Sequence, residues 1–359
     1  MSTLAFELRP ALEASEPPEA RGLQRDEVRL MVASRWRDAI VRTRFRALPD
    51  YLKPGDLVVI NNSRTLPAAV QATRADGTSV ELRFSTRAPS RPGARDRTRA
   101  TGSDHGPDRF IVELRSARGL SPLADGRVGE EYQLPARATV ELLAPYAGRG
   151  RLWLARTEGI HDLHRYLNDH GHPIRYGYVR RPWPLSAYQT VYATVPGSAE
   201  MPSAGRPFTA ELLTRLIAMG VLIAPVTLHA GVSSPEADEP PCPEAYTVPP
   251  PTARLVNHVR AAGHSVIAIG TTVVRALESA AAPDGTVEPR QGWTNLVISK
   301  DHPVRVVDGL LTGWHEPQAS HLQMLEVIGG ERMVKRSYET ALSAGYLWHE
   351  FGDSHLILP

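Results

Sequence analysis

A single cysteine, Cys242, stands among the 359 residues, so the chain cannot close an internal disulfide. A lone thiol with no cysteine neighbours is also a poor start for a structural zinc site, and the pattern points to a reducing compartment. Long hydrophobic runs are missing: no stretch approaches the roughly 18 uninterrupted apolar residues of a membrane span. The opening residues, MSTLAFELRPALEASEPPEARG, carry acids and prolines where a secretory signal needs a basic start and an apolar run. A cytoplasmic protein with no membrane partner is expected. Excess charge is scarce too. A net charge of +2 excludes a surface basic all over, as a general polyanion binder needs, and leaves room for a local basic patch. GxGxxG after a strand, Walker A, HExxH and CxxC are all absent. His161, His164, His170 and His172 lie close together, but no cysteine or acidic grouping completes a ligand spacing, so no metal is expected.

What remains is an ordinary globular composition, 42% hydrophobic and 22% charged, in a chain long enough for about two domains. Pro10, Pro17 and Pro18 keep the opening segment from forming a long helix. The first strong element lies in YLKPGDLVVINNSRTLPAAV: Lys53 to Asp56 is turn chemistry, and Leu57 to Ile60 is a β-branched run suited to a buried strand. Asn61, Asn62, Ser63 and Arg64 then sit just beyond its C-terminal end, where polar groups of an α/β protein meet ligands.

From about Thr65 to Arg156 the rhythm changes to short alternating runs broken by Gly, Pro and Asp turns, which predicts an antiparallel barrel or small sandwich. Residues 65–156 are therefore expected as an inserted all-β domain, with 1–64 and 157–359 forming one α/β domain. The Arg/Pro/Gly/Ser-rich stretch from Thr86 to Asp108 has no periodicity and predicts a solvated loop. After His161, helical and strand patterns alternate. TAELLTRLIAM has Thr209 as N-cap and Gly220 as its stop, VLIAPVTLHA is a strand, PTARLVNHVRAAG a helix, and SVIAIGTTVVRALES a strand running directly into a helix.

Three places could carry chemistry. At Gly270, Thr271 and Thr272 a helix starts after a buried strand, so its free amide groups would face an anion. Arg275 and Glu278 share a face of that helix and could pair with each other at the surface or with a zwitterionic ligand. In TLHAG a strand delivers His229 into a glycine-containing loop, where an imidazole can exchange protons near neutrality or serve a structural role. The third place, YQTVY followed by MPSAGRPFT, brings Tyr188, Gln189, Ser203 and Gly205 to a turn-rich helix entry.

PGDLVVINNSR, YQTVYA, the PSAG-to-FTAELL helix entry, TLHAG, AIGTTVVRALES, GWTNLVI, VVDGLLTGWH and FGDSHLIL occur in an order that resembles the S-adenosylmethionine:tRNA ribosyltransferase-isomerase family along nearly the whole chain. The resemblance implies an α/β fold: a barrel-like α/β main domain with an inserted small antiparallel β-barrel. It implies an enzyme, a transferase/isomerase of queuosine biosynthesis, that uses S-adenosylmethionine as co-substrate and modifies tRNA. Family members move the ribosyl portion of S-adenosylmethionine onto 7-aminomethyl-7-deazaguanine in tRNA, isomerise it to an epoxycyclopentane, and release adenine and methionine. On that basis Asn61, Ser63, Arg64, Tyr188, Gln189, Ser203, Gly205, Gly270, Thr271, Thr272, Arg275 and Glu278 are expected to bind substrate. Arg64 and Arg275 would hold carboxylate or phosphate. His229, and second His315, would transfer protons.

The departures carry information of their own. Asn62, Pro207 and Cys242 stand where the family carries Asp, His and His, and the loop after His229 reads Ala230-Gly231-Val232-Ser233-Ser234-Pro235. Of a family His-x-Met-His-x-Glu stretch only Glu244 remains, while Gly313-Trp314-His315-Glu316-Pro317 keeps the family's histidine. Each lost acid or base removes a proton-transfer group, so tRNA modification is expected to be slow or absent, with better activity, if any, on another acceptor. A paralogue acting on a small-molecule acceptor, or cleaving S-adenosylmethionine without tRNA, and a catalytically inactive binding protein stay open as alternatives.

Overall fold

The structure is a computed structural model that describes residues 4–88, 109–146, 149–232, 242–317 and 319–359. Before the first strand the chain makes short 3-10 turns, consistent with its prolines. Strands β1 (Arg29–Ser34) and β2 (Ala39–Arg44) form a hairpin that precedes the first strand legible in the sequence, β3 (Leu57–Asn61), and the short β4 (Ser63–Thr65). Six strands follow: β5 (Ala69–Arg74), β6 (Ser79–Arg87), β7 (Arg109–Ser116), β8 (Glu131–Gln133), β9 (Thr139–Tyr146) and β10 (Arg149–Glu158). They close into an antiparallel barrel. Thr86 and Arg87, expected in a loop, extend β6, Ala88 N donates to Arg109 O at 2.9 Å, and residues 89–108 of that stretch lie outside the described residues.

The C-terminal part contributes α1 (Leu163–His170), β11 (Val195–Ser198), α2 (Ala210–Ala218), β12 (Leu222–Leu228), β13 (Glu244–Val248), α3 (Pro250–Ala261), β14 (Val266–Ile269), α4 (Thr271–Ser279), β15 (Arg290–Thr294), β16 (Gly309–Thr312), α5 (His321–Gly329), α6 (Glu331–Ser343) and β17 (Ser354–Leu358). Nine strands form one mixed sheet in the order β15-β13-β12-β3-β14-β16-β17-β1-β2. Its two outer strands, β15 and β2, are not paired with each other, so ring closure belongs to the six-stranded barrel alone.

The central strand β3 is buried at every position because both faces of the sheet are covered. Leu57 and Val59 pack with Ala268, Val226 and residues of α3 to α6 on one face, and Val58 and Ile60 pack with Ile267, Leu212 and Phe208 on the other. Burial of each such side chain stabilises the fold by about 1.5–3 kcal/mol. Asp56 in the preceding turn accepts from Lys53 N at 2.8 Å and Ser265 N at 3.1 Å, which ties the start of β3 to that of β14. Thr209 caps α2 as its position predicted, its hydroxyl accepting from Leu212 N at 3.0 Å. The barrel interior is apolar, built on Val80, Leu82, Phe84, Val112 and Leu114.

Strands β12, β3, β14 and β16 are mutually parallel neighbours. Their C-terminal ends therefore lie along one edge of the sheet.

Candidate active site

Four polar strand ends meet there. Asn61, at the end of β3, donates through Nδ2 to Leu228 O at 2.8 Å and to Thr272 Oγ1 at 3.2 Å, and its Oδ1 accepts from Leu228 N and Ser63 N. It thus fastens β3, β12 and the start of α4 to one another, with 1% of its surface exposed. The neighbouring Asn62 accepts from Thr227 Oγ1 at 2.7 Å. Beyond them the chain turns into β4, which pairs with β11 and sets Ser63 and Ser198 close together. Ser63 Oγ lies 2.6 Å from Ser198 Oγ and 2.7 Å from His229 Nδ1. A Cβ on Gly197 would stand 2.5 Å from that imidazole, so only glycine lets the ring lie against β11. Burial, and secondarily nearby His164, lowers the pKa of His229 to about 4, so the ring is neutral at physiological pH.

The Arg64 side chain is exposed on β4 and makes no ion pair or hydrogen bond with the described residues. Gly270 caps α4 at a φ of 93°, a conformation that favours glycine, and the first amide groups of the helix, on Thr271 and Thr272, have no acceptor among the described residues. His315, just past β16, places Nε2 2.9 Å from Thr312 Oγ1 and stacks on His321. Burial holds its pKa well below the ordinary value.

Other expected binding residues are occupied with structure. Gln189 clamps Thr65 as an extra strand partner would, accepting from its N at 3.1 Å and donating to its O at 2.8 Å. Tyr188 is buried against Phe351. Gly205 is needed because a Cβ would collide with the Tyr192 hydroxyl. Arg275 and Glu278 neither pair with each other nor form a surface pair, since both are buried. Arg275 pairs with Glu244 and donates to Thr294 O and Leu296 O, both at 3.1 Å, while Glu278 accepts from the amides of Arg305, Val306 and Val307. Glu244 also accepts from Gly231 N at 3.0 Å, so Arg275 steadies the loop that follows His229.

A narrow recess near this edge is lined by Ser203, Pro207, Gly313, His349 and Glu350, among others. Glu350 accepts from Tyr178 Oη at 2.6 Å, and burial raises its pKa to about 7. The recess therefore keeps a titratable group although Pro207 is not one. Sequence reasoning missed Ser198 and Glu350; their only signal is position, Ser198 between YQTVYA and PSAG and Glu350 immediately before FGDSHLIL. A wider concavity of about 520 Å³, lined by Ile40, Arg42, Arg336, Glu339 and Thr340, lies out at the terminal strand β2 with no polar strand ends converging on it. Among the described residues, no group of three or more His, Cys, Asp or Glu is placed to hold a metal, and no helix is long and apolar enough to cross a membrane. Ser233 to Pro241 lie outside the described residues.

The sheet gathers an imidazole, a guanidinium unpaired among the described residues and a helix N-terminus at the carboxyl ends of four parallel strands, the place where open α/β sheets bind ligands. The queuosine biosynthesis protein family model matches residues 1–357. The chain is 34% identical to the S-adenosylmethionine:tRNA ribosyltransferase-isomerase of Symbiobacterium thermophilum, covering 100% of this chain and 99% of that one. It is 35% identical to the protein of the same name from Sorangium cellulosum, with 99% and 97% covered. The crystal structure of an S-adenosylmethionine tRNA ribosyltransferase from Thermotoga maritima matches 98% of this chain and 99% of its own with a TM-score of 0.52 at 27% identity. The chain belongs to the queuosine biosynthesis protein family.

Proposed function

We propose that this protein is a cytoplasmic S-adenosylmethionine:tRNA ribosyltransferase-isomerase. It transfers the ribosyl portion of S-adenosylmethionine to 7-aminomethyl-7-deazaguanine in tRNA and isomerises it to the epoxycyclopentane, with release of adenine and methionine. The observation that carries this reading is the end-to-end similarity to relatives of that name, aligned over segments that supply the polar strand ends. Those relatives give no support to a small-molecule acceptor or to an inactive binding protein. Residues 65–156 are read as an inserted domain.

The sulfonium of S-adenosylmethionine acidifies the adjacent 5′ C–H, so a base removes that proton, adenine leaves, and the acceptor amine attacks. The chain must therefore hold a methionine carboxylate, accept one proton and stabilise a leaving nitrogen. Arg64, free and exposed, suits the first role through two parallel hydrogen bonds, together with the open amides of Thr271 and Thr272. Asn61 and Arg275 support the site by holding its loops. His229 and His315 remain the imidazoles of the edge. The test is incubation of the purified protein with S-adenosylmethionine and tRNA bearing 7-aminomethyl-7-deazaguanine, followed by nucleoside mass analysis. Gain of the ribosyl-derived group with matching adenine release is expected. Adenine release independent of tRNA, or no turnover at all, would refute the proposed reaction.

A further inference from the structure

Ser198, Ser63 and His229 form a single hydrogen-bonded line whose direction can be worked out from its members. Ser198 Oγ accepts from Ala230 N at 3.0 Å. Its other partner is Ser63 Oγ, so the Ser198 hydroxyl hydrogen has one acceptor available, and it points to Ser63. Ser63 must then place its own hydrogen, and its remaining partner for that hydroxyl is His229 Nδ1. The reverse direction would strand the Ser198 hydrogen with no acceptor among the described residues. Both serines are fully buried, and buried donors are not left unpaired without cost. Nδ1 is therefore a bare acceptor and the ring proton sits on Nε2, the nitrogen with no partner among the described residues. A protonated imidazolium would need to donate from Nδ1 and so would break the line. Burial, which keeps the ring neutral, agrees with this.

We propose that Ser198 and Ser63 are positioning residues that lock His229 as the Nε2–H tautomer, so that His229 offers substrate a hydrogen-bond donor and is not the base of the reaction. A neutral imidazole in this state stabilises negative charge that develops on a leaving nitrogen or an oxygen without having to lose its proton first. This changes the role that sequence reading gives His229, and its catalytic half rests on the proposed function. Gly197 completes the device by letting the ring lie flat against β11.

The tautomer is read without substrate, which separates its failure from failure of the proposed reaction. In full-length protein labelled with 15N-histidine, long-range 1H–15N correlation at neutral pH distinguishes the two ring nitrogens, and His229→Gln identifies the relevant signals. The expected result is an unprotonated Nδ1 and a protonated Nε2 in the wild type, loss of that preference in Ser63→Ala, and its return in Ser63→Thr. In the tRNA assay Ser63→Ala should lower kcat by about ten- to a hundredfold with little change in KM, and Ser63→Thr should recover most of it. A wild-type ring protonated on Nδ1, or on both nitrogens, overturns the proposal whatever the variants do. Unchanged kcat in a folded Ser63→Ala overturns the positioning role.

Discussion

In the closed barrel, polar residues that alternate with the core are buried against one another. Along the carboxyl edge of the sheet, they are left open. On the outer face of the barrel, under the Gly119 turn, Glu113 lies 3.1 Å from Arg115 and 2.5 Å from Arg151, and Glu81 lies 2.8 Å from Arg83. Arg83 and Arg115 also donate to Gly119 O, each at 2.8 Å. These charges are spent on structure. At the sheet edge, by contrast, the Arg64 side chain, the first α4 amides and His229 Nε2 have no partner among the described residues. Charge alone does not mark a binding site; what marks it is polar capacity that the fold leaves unused.

The largest effect that would sharpen this contrast is at Glu113. Removing one partner of a buried ionic cluster leaves the others uncompensated, so Glu113→Ala should lower unfolding free energy by about 3–5 kcal/mol in denaturant titration. Replacing Glu113, Arg115 and Arg151 together with apolar residues of similar volume should cost far less. Folded Glu113→Ala should keep its affinity for S-adenosylmethionine, since the barrel cluster is read as architecture. A matching loss of affinity would break the distinction between the two regions.

A second effect concerns His355, fully buried on β17 and stacked on Trp314, with neither ring nitrogen hydrogen-bonded among the described residues. Burial lowers its pKa to about 3. In the unfolded chain it would be about 6.5, so below that pH the unfolded state binds a proton that the native state refuses, and stability falls with pH. Between pH 6.5, where the unfolded ring is half protonated, and pH 4.5, this refusal amounts to about 2.3 kcal/mol. Glu350, raised to about 7, works in the opposite sense, because its native state binds the proton more tightly than the unfolded chain does. Denaturant titrations at the two pH values should show His355→Phe losing less stability on acidification than the wild type. An identical loss would mean that His355 is not the group responsible.

Local patterns were legible in the sequence because their causes are local. Lys53 to Asp56 made the turn before β3, Thr209 capped α2, and the alternation of SVELRF and RFIVELR marked barrel strands. What could not be read were partners distant in the chain. Arg275 and Glu278 share a helical face as their spacing implied, yet Glu244 and the amides of residues 305–307 claim them first. For the polar positions of β6 and β7, alternation assigns an outer face without saying what covers it. Ser198 lies 31 residues from His229 and has no motif of its own, so the relay became visible only when β11 paired with β4. Strand β1 pairs with its neighbour β2 on one side and on the other with β17, a partner at the far end of the chain that local pattern does not reveal.

The central claim, that S-adenosylmethionine binds at the carboxyl edge of the sheet, is tested most directly by calorimetric titration of three arginine variants. Arg64 stands at that edge, Arg37 lies in the β1–β2 turn at the opposite edge, and Arg42 lines the wider concavity at the terminal strand. Each removes one exposed guanidinium, so general loss of positive charge is the same in all three. The account predicts that Arg64→Ala weakens binding by about ten- to a hundredfold, roughly 1.4–2.7 kcal/mol, while Arg37→Ala and Arg42→Ala stay within about twofold of the wild type. Unchanged affinity in Arg64→Ala, or an equal loss in Arg42→Ala, would contradict it.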